Sequence, residues 1–527
     1  MGKRRIIICC DGTWNDLEMR YITNVGRLIQ ALPVVGKSGQ EDIPQLIYYD
    51  DGVGADSSGL QRLMQGGFGW GIDSLIYEAY RFIAINYEQG DEICLFGFSR
   101  GAYTVRSVAG MIGKVGLVPR SNLKKLPEAL TAYRSRKPSI QAEFRKKWSD
   151  ASVKVDLLAC WDTVGALGIP DKIPFLSIDE MFKKRYRFHD TKIGSHIERA
   201  IHAVAIDERR KEFDATLMHR ETDAPPTQKI VQRWFPGDHG CVGGGTWEKR
   251  GLSNRCLRWV VDQAKAWGID LRADWSRLHD GAIADESIFF SEHVPLIYSK
   301  KNRKMKQGVV EWDDIDGTAR QRWVDHPDYR PRGLKNRFLD KLNALPDDGA
   351  RRPPTTETSL SVDQSVAVRV FAKEKTGRSH VQVKDGERCK VTVSSFQVWK
   401  DGGLDPCDVR GWNLVESGPT AMPPYVDGQP ADLGAVRSSL IKMAHKRRVV
   451  RTANWFELVL RIGDEKRGRR LGIEKVDEDT PEFKAEFTAW RDGELHFAAN
   501  DLASRFDLID KYDNNVGWIW LGIKLVG

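Results

Sequence analysis

The sequence lacks any apolar stretch of the length that a membrane span needs, and it contains no C-x-x-C pair. A spanning helix takes about 20 consecutive apolar residues, and paired cysteines at that spacing are typical of zinc sites. The apolar run 6–10 near the N-terminus is too short for the core of a signal peptide. The eight cysteines include several inside apolar runs, as expected for reduced thiols. These absences predict a cytoplasmic protein, with export by a leaderless route or action at the inner membrane left open.

A strong charge of either sign is also missing. The chain has 81 Lys and Arg against 73 Asp and Glu, a net charge of +8 over 527 residues. Basic residues concentrate locally only at 300–306 and 445–448. Either cluster could meet phosphates of lipid or nucleic acid, but such runs are more often solvated loops. No nucleic-acid partner is expected.

The first half of the chain alternates short apolar strands with helical patterns. Unbroken Val/Ile/Leu-rich strands between helices predict an α/β fold with a mainly parallel sheet covered on both faces. We expect strands at 6–10, 45–49, 93–96, 153–160, 200–206 and 229–235. We expect helices at 72–86, 102–112 and 254–267.

The chain is too long for one core, so further domains are expected. Residues 270–345 form a mixed, aromatic excursion of the first domain (1–345), with a helix at 334–345. Residues 346–360 are polar and proline-rich, and they predict a linker. Beyond 361 the pattern is all-β and predicts a sandwich domain over 361–527. Its expected strands are 366–371, 390–393, 456–462, 494–498 and 517–524.

The pentapeptide Gly97-Phe98-Ser99-Arg100-Gly101 stands between an apolar strand and an amphipathic helical pattern. In that context G-x-S-x-G is the nucleophile elbow of α/β hydrolases. The glycines suit a sharp turn that leaves no room for Cβ atoms. Ser99 is therefore predicted to be a nucleophile, and the alternative is a serine in a structural turn.

A serine hydroxyl needs a histidine to take its proton and an acid to orient that histidine. His239 stands in a glycine-rich loop directly after a strand, whereas His202 lies within an apolar run and is expected in the core. Two aspartates follow strands in the order that hydrolases use, Asp162 and Asp207. Asp207 precedes Glu208-Arg209-Arg210, which offers it a salt-bridge role instead, and both candidates stay open at this point.

The tetrahedral intermediate of ester hydrolysis needs backbone donors aimed at its oxyanion. One is expected to be the N–H of Arg100, the residue after the serine. The other is expected from Gly12 or Thr13 after the first strand, where Asp11 caps the loop. The glycine-rich segments 51–54 and 66–71 are the competing source of that donor, and they could equally form a lid.

Six blocks in one order now resemble a known family. They are Cys10-Asp11-Gly12-Thr13-Trp14-Asn15, Thr23-Asn24-Val25, Tyr49-Asp50-Asp51-Gly52-Val53-Gly54, Gly97-Phe98-Ser99-Arg100-Gly101-Ala102-Tyr103, Trp161-Asp162-Thr163-Val164-Gly165, and Trp234-Phe235-Pro236-Gly237 with His239 and Val242-Gly243-Gly244-Gly245. Residues 5–270 are thereby similar to the α/β-hydrolase family typified by the catalytic domain of type VI secretion phospholipase effectors.

This resemblance implies a lipase or phospholipase with Ser99, Asp162 and His239 as its triad. It ranks Asp162 above Asp207, requires no cofactor for catalysis, and makes a phospholipid membrane the partner surface. The chain departs from the family at Cys241, where an aspartate usually stands two residues after the histidine.

Three segments of the second domain carry another resemblance: Arg461-Ile462-Gly463, Gly493-Glu494-Leu495-His496-Phe497-Ala498-Ala499-Asn500-Asp501 and Tyr512-Asp513-Asn514-Asn515-Val516-Gly517. Through them, residues 362–527, mostly in their last third, resemble the jelly-roll fold of calcium-dependent, galactose-binding bacterial lectins. Asp501, Asn514 and Asn515 would be its metal or sugar contacts, because calcium prefers hard oxygen ligands. The alternative is that Asp and Asn simply form the turns of a sandwich. The resemblance implies a carbohydrate or protein partner for this domain.

Together these patterns predict a serine esterase acting on lipids, and the resemblance implies a phospholipase that serves as an antibacterial effector or an intracellular defence enzyme. Two alternatives stay open. One is a lectin-like binding protein on an inactive hydrolase scaffold, and the other is a hydrolase of soluble esters or peptides.

Overall fold

The computed structural model describes most of the chain. The described residues are 2–12, 22–51, 68–135, 137–165, 192–246, 249–275, 299–325, 329–346, 354–394, 397, 399–401, 407–415, 418–421, 449–476, 482–501 and 515–527.

A mixed sheet with helices on both faces makes up the N-terminal part. The strands described there are β1 (Arg5–Cys10), β2 (Val35–Ser38), β3 (Glu41–Asp50), β4 (Glu92–Phe98), β5 (Leu157–Trp161), β6 (Lys192–Ile193), β7 (Arg199–Ala205), β8 (His219–Arg220), β9 (Lys229–Phe235) and β10 (Ile269–Asp270). Eight of them pair in the order β10-β2-β3-β1-β4-β5-β7-β9. The six strands from β3 to β9 run parallel, and β2 and β10 add an antiparallel edge.

The helices of this part include long amphipathic segments and shorter ones near the site. They are α1 (Asn24–Ala31), α2 (Phe68–Asn86), α3 (Arg100–Val115), α4 (Leu126–Arg134), α5 (Pro138–Trp148), α6 (His239–Gly243), α7 (Arg250–Ala266), α8 (Gly317–Asp325) and α9 (Arg332–Asn343). Single 3₁₀ turns are found at Arg120–Lys125, Lys211–Phe213 and Trp312–Asp314.

Side chains of the central strands alternate between two cores, as the twofold period of a strand requires. In β1, Ile6 and Ile8 pack with α2 to α5 on one face. Ile7 and Cys9 pack with α1 and α7 on the other face. A third cluster joins α8 and α9 to the far edge of the sheet through Val204, Ile206 and Trp234. Burial on both faces explains the unbroken apolar strands of the sequence.

The predicted parallel sheet with helices is confirmed, with shifted boundaries. The strand expected at 153–160 begins only at Leu157, and the helix expected at 334–345 runs from Arg332 to Asn343. The hairpin of β2 with β3 and the helices α1, α4 and α5 are additions that the sequence patterns did not predict.

Separate sheets, almost entirely antiparallel, form the C-terminal part. Its strands are β11 (Thr358–Ser359), β12 (Ser365–Phe371), β13 (Gly377–Val383), β14 (Arg388–Ser394), β15 (Lys400–Asp401), β16 (Trp412–Val415), β17 (Gly418–Ala421), β18 (Leu458–Ile462), β19 (Arg469–Arg470), β20 (Glu474–Lys475), β21 (Glu482–Thr488), β22 (Gly493–Ala499), β23 (Asn515–Val516) and β24 (Trp518–Val526). Two five-stranded sheets, β11-β13-β22-β18-β19 and β12-β24-β14-β21-β20, share one apolar core. The jelly-roll connectivity and the domain boundaries stay predictions.

Among the helices that the structure describes, we found none with the length and apolar character needed to traverse a lipid bilayer.

Candidate active site

Ser99 occupies a sharp turn between β4 and α3. Its backbone has φ 58° and ψ −118°, a conformation that costs an L-residue roughly 1–3 kcal/mol. The main chain holds the turn from both sides, since Ser99 N–H donates to Trp161 O at 3.0 Å and Tyr103 N–H donates to Ser99 O at 3.3 Å. The predicted strand, turn and helix therefore meet at this serine.

The glycines on either side of Ser99 permit this turn by lacking a Cβ atom. A Cβ on Gly97 would lie 2.5 Å from Gly101 O. A Cβ on Gly101 would lie 2.1 Å from Cys10 O and 2.4 Å from Asp11 O. Because all three contacts are to backbone atoms, no side-chain rotation could relieve them, and α3 could not approach the end of β1 so closely.

His239 links Ser99 to Asp162 through its two ring nitrogens. Its Nδ1 lies 2.6 Å from Asp162 Oδ2, and its Nε2 lies 2.8 Å from Ser99 Oγ. An ionised carboxylate can only accept, so Nδ1 carries the proton and Nε2 accepts from the serine hydroxyl. All three side chains are buried. The structure thus brings together the three residues that the sequence singled out.

Asp162 lies directly after β5, the strand next to β4. Its backbone also has a positive φ of 39°. Its N–H donates to Ala203 O at 2.7 Å, and its Oδ1 accepts from Ala205 N–H at 2.9 Å. These bonds to β7 fix the turn that carries Asp162.

Arg303 donates hydrogen bonds to both oxygens of the Asp162 carboxylate. Its Nη1 donates to Oδ1 at 2.5 Å and its Nη2 donates to Oδ2 at 2.8 Å. Burial alone would raise the pKa of the Asp162 carboxyl, but the Arg303 charge and the His239 hydrogen bond outweigh it and hold that pKa well below its usual range. Asp162 is therefore ionised at neutral pH although it is fully buried.

Aromatic rings and a backbone bond fix the orientation of His239. Phe98 and Phe213 pack on its imidazole with centroid distances of 4.6 and 4.9 Å. Its backbone N–H donates to Glu208 Oε2 at 3.2 Å. Glu208 is in turn paired with Arg210 at 2.7 Å, and that guanidinium lies over the Phe213 ring. Two aromatic rings and a backbone hydrogen bond thus confine the His239 imidazole.

Sequence reasoning did not find Arg303, Glu208 or Phe213. Arg303 belongs to the 300–306 cluster, which we expected to be a solvated loop or a phosphate contact. Its lysines are exposed, but Arg303 is buried. Glu208 entered only as a neighbour of Asp207. A single sequence carries no signal for the pairing of Arg303 with Asp162, which are 141 residues apart.

Asp207, the alternative acid, is engaged elsewhere. Its Oδ2 accepts from Gly237 N–H at 2.6 Å, and its own N–H donates to Gly237 O at 2.9 Å. Burial raises the pKa of its carboxyl to about 7, although Gly237, Arg322 and Tyr329 act in the opposite direction. Asp207 therefore fastens the turn that precedes His239 and does not hold its ring.

Of the three residues predicted to donate to the oxyanion, the structure describes Arg100 and Gly12. Arg100 is the first residue of α3, where backbone N–H groups have no acceptor within the helix. Gly12 N–H donates to Asp11 Oδ1 at 2.6 Å. Thr13, most of the glycine-rich stretch 51–71 and the basic cluster 445–448 lie outside the described residues.

Asp11 caps its loop as expected, and it does so as a buried carboxyl. Besides Gly12, its oxygens accept from the hydroxyls of Thr23 at 2.6 Å and Tyr49 at 3.2 Å. Burial raises the pKa of Asp11 to about 7 despite these bonds.

Cys241 replaces the expected aspartate and is fully buried. Burial raises the pKa of its thiol well above the ordinary value. Its N–H donates to Asp238 Oδ1 at 3.1 Å, and Asp238 is paired with Lys249 at 2.7 Å. The loop that carries His239 is therefore supported by Asp238 and Glu208, and does not depend on a carboxylate at position 241.

His202 is a satisfied core histidine, in agreement with its apolar setting. Its Nε2 accepts from Thr163 N–H at 3.1 Å, which leaves Nδ1 to donate to Gln232 Oε1 at 3.2 Å. Burial lowers its pKa to about 3. It therefore stays neutral and steadies the turn after Asp162.

In the C-terminal part, Asn515 Nδ2 donates to Asp501 Oδ2 at 3.0 Å. Both side chains are buried. Asn514 lies outside the described residues. We found no group of three or more His, Cys, Asp or Glu arranged for a metal among the residues described. Calcium binding by Asp501, Asn514 and Asn515 stays a prediction.

Comparison with known proteins adds one family match. Residues 4–263 match the model of a family described as "T6SS, Phospholipase effector Tle1-like, catalytic domain". The match spans β1 to α7 and includes Ser99, Asp162 and His239, whereas Arg303 lies beyond it. It supports the expected lipid-hydrolase function of this part of the chain.

Individual relatives are distant. A curated protein of Saccharomyces cerevisiae (strain ATCC 204508 / S288c), the uncharacterized protein YEL023C, is 29% identical over 236 residues. That alignment covers 40% of this chain and 32% of the relative, so the chain spans about a third of that protein's length.

Solved structures give only weak similarity. An uncharacterized protein from Pseudomonas aeruginosa has a TM-score of 0.29 at 18% identity, covering 51% of this chain and 47% of its own. The Tle1 effector, solved bound to the VgrG spike of the type 6 secretion system, has 0.26 at 15%, covering 46% and 51%. RedJ, with a PEG molecule bound in its active site, has 0.24 at 11%, covering 49% and 92%. Scores this low carry no conclusion about fold or function.

Proposed function

We propose that the protein is a serine esterase that hydrolyses carboxylic ester bonds of phospholipids. The observation that carries this proposal is the continuous hydrogen-bonded series Ser99–His239–Asp162, with Ser99 on a strained turn at the start of a helix. Nucleophile, base and acid at these distances are the arrangement that acyl transfer needs. The family match over residues 4–263 favours a lipid as the substrate.

In the proposed reaction, Ser99 Oγ attacks the ester carbonyl carbon while His239 Nε2 takes the hydroxyl proton. Asp162 stabilises the imidazolium that forms and keeps its Nδ1–H in place. Arg100 N–H donates to the developing oxyanion. The carbonyl then re-forms, the C–O bond breaks, and the leaving alcohol takes the proton from His239. Water repeats the sequence and releases the fatty acid.

The test compares the protein with Ser99→Ala on phospholipid vesicles and on short soluble esters, with released fatty acid as the measurement. We expect release from vesicles by the parent and a loss of on the order of 10³-fold or more in the variant. Hydrolysis that survives Ser99→Ala would refute the serine mechanism. Activity confined to soluble esters would refute the lipid substrate.

We further propose that membrane hydrolysis serves an antibacterial or intracellular defence role. Expressing the parent in a test bacterium, once in the cytoplasm and once directed to the periplasm, should arrest growth where substrate is reached. Ser99→Ala expressed to the same level is the matched control. Growth arrest by both forms would point to a toxicity unrelated to hydrolysis.

A further inference from the structure

We propose that Arg303 is a positioning residue of the hydrolase, holding the Asp162 carboxylate in place for His239 and keeping it ionised. This inference rests on the proposed function, because it assigns a role within the same site. It also extends the site beyond residues 4–263, the segment that matches the family.

Arg303 and Asp162 form a bidentate ion pair. Both terminal nitrogens of Arg303 donate to Asp162, at 2.5 and 2.8 Å. Two-point pairing of this kind sets the orientation of a carboxylate as well as its charge. Because Oδ2 also accepts from His239 Nδ1, fixing the carboxylate fixes the direction in which the imidazole is held.

The remaining N–H groups of the two terminal nitrogens of Arg303 donate to backbone carbonyls. Nη1 also donates to Ala205 O at 2.7 Å, and Nη2 donates to Phe213 O at 2.5 Å. Each terminal nitrogen therefore has two acceptors, and the side chain is buried. The guanidinium has no terminal N–H left for a substrate phosphate, so its role is directed at Asp162.

Backbone hydrogen bonds to the loop after β7 position the segment that carries Arg303. Lys211 N–H donates to Ser299 O, and Lys301 N–H donates to Arg209 O, both at 2.8 Å. This short antiparallel contact joins the excursion after residue 299 to the loop that follows β7. The same loop ends at Phe213, whose ring packs on His239. The loop after β7 therefore contacts both the segment that carries Arg303 and the ring of His239.

The charges around this centre show why an arginine is needed. The buried groups that face Asp162 are His239, His202, Cys256 and Arg303. The carboxylates of Glu208 and Asp214 also interact electrostatically with Arg303. Of these groups, Arg303 alone is a permanent cation. An unpaired carboxylate in so dry a place would favour its protonated form, and a protonated acid could not stabilise the imidazolium.

The test separates the effect of the Arg303 charge from the effect of its two-point contact with Asp162. Arg303→Lys keeps the charge and loses the two-point contact, and we expect a kcat about tenfold lower with an unchanged KM and an unchanged acidic limb of the kcat/KM profile. Arg303→Met loses both. We expect its kcat to fall about 100-fold and its acidic limb to move to higher pH by about one unit, because removing the neighbouring cation favours protonation of the buried Asp162 carboxylate.

Lys304→Met is the matched control, since Lys304 is the exposed neighbour of Arg303 in the same cluster. It should leave kcat, KM and the pH profile unchanged. Far-ultraviolet circular dichroism and thermal unfolding establish that each variant is folded. A folded Arg303→Met with the parent's acidic limb would reduce Arg303 to a structural residue and overturn the proposal.

If Arg303→Met does not fold, Arg303→Lys decides, and a changed KM with an unchanged kcat overturns the proposal. Failure of the proposed function gives a different result, because Ser99→Ala would then still hydrolyse the ester.

Discussion

The backbone N–H of Ser99 donates to the carbonyl of Trp161 at 3.0 Å. The turn that carries the candidate nucleophile is thereby bonded, main chain to main chain, to the residue just before the candidate acid. Two adjacent parallel strands, β4 and β5, thus end in two turns that hold each other. Both turns contain a residue with positive φ, Ser99 and Asp162. The hydrogen bond between the ends of these two strands therefore helps to stabilise both unfavourable backbone conformations.

Gly101→Ala should abolish ester hydrolysis and destabilise the fold by about 3 kcal/mol. The added Cβ would lie 2.1 Å from Cys10 O, a contact that only a backbone shift can relieve. Gly110→Ala in the same helix is the control, since its nearest contact is the Tyr133 hydroxyl at 3.3 Å. It should change stability by no more than about 1 kcal/mol. Thermal unfolding and initial rates measure both effects, and an active, stable Gly101→Ala would contradict the close approach.

Asp162→Asn and Asp207→Asn should separate the two acid candidates. Asparagine at 162 would lower kcat by on the order of 10⁴-fold, because it can hold His239 in the wrong tautomer. Asparagine at 207 keeps an oxygen for Gly237 N–H, and its activity should stay within about tenfold of the parent. Steady-state kinetics on a soluble ester, on variants shown to be folded, decide. The reverse order of activities would make Asp207 the acid.

Asp11→Asn should change how stability depends on pH. Burial raises the pKa of Asp11 to about 7, whereas an unfolded aspartate titrates near 3.9. The folded state thus keeps this proton over a range where the unfolded state releases it. Stability from Asp11 is complete below about pH 4 and is lost as pH rises to about 7, by at most on the order of 4 kcal/mol.

The parent should therefore lose stability relative to Asp11→Asn between pH 5 and pH 8, as measured by thermal unfolding. Asp262→Asn on the exposed face of α7 is the control and should follow the parent at both pH values. A constant difference between parent and Asp11→Asn would rule out an elevated pKa.

Cys241→Asp should destabilise the protein by about 3 kcal/mol and lower activity, whereas Cys241→Ala should retain activity. The position is fully buried, and the nearby Lys249 is paired with Asp238 at 2.7 Å. A new buried carboxylate there would have to share Lys249 with Asp238 and Arg322 with Asp207. Thermal unfolding and kcat/KM check both variants. An aspartate that left stability and activity intact would show that this loop accepts the arrangement expected of the family.

The sheet and the elbow could be predicted because their signals are local. The run Ile93–Phe96 next to Gly97-Phe98-Ser99 predicts a buried strand and a sharp turn from contiguous residues. The strand at 45–49 was predicted, but the hairpin that β2 forms with the first residues of β3 was not, because Pro44 and the charged Glu41 and Asp42 obscure the strand pattern there. Helix α5 was missed because it buries only Phe144.

The residues that contact the candidate triad could not be predicted from the sequence. Asp162 and Asp207 both follow strands with similar patterns, so local patterns left the choice open, and only the family resemblance ranked Asp162 first. Arg303 was hidden more completely, because its neighbours are exposed lysines and its burial arises from contacts with β7 and Phe213. The local sequence pattern of a buried cation is the same as that of a solvated one. Only the contacts made in the folded protein distinguish the two.

On the ribosome, Ser99, Asp162 and His239 all emerge well before Arg303. A nascent or proteolytically shortened chain that ends near residue 263 would hold the candidate nucleophile, base and acid, with Asp162 still lacking its arginine. Under the proposed function, full hydrolytic activity would then begin only once the segment after residue 299 has paired with Arg209 and Lys211. The order of synthesis would thereby delay activity until the chain beyond Arg303 has been made.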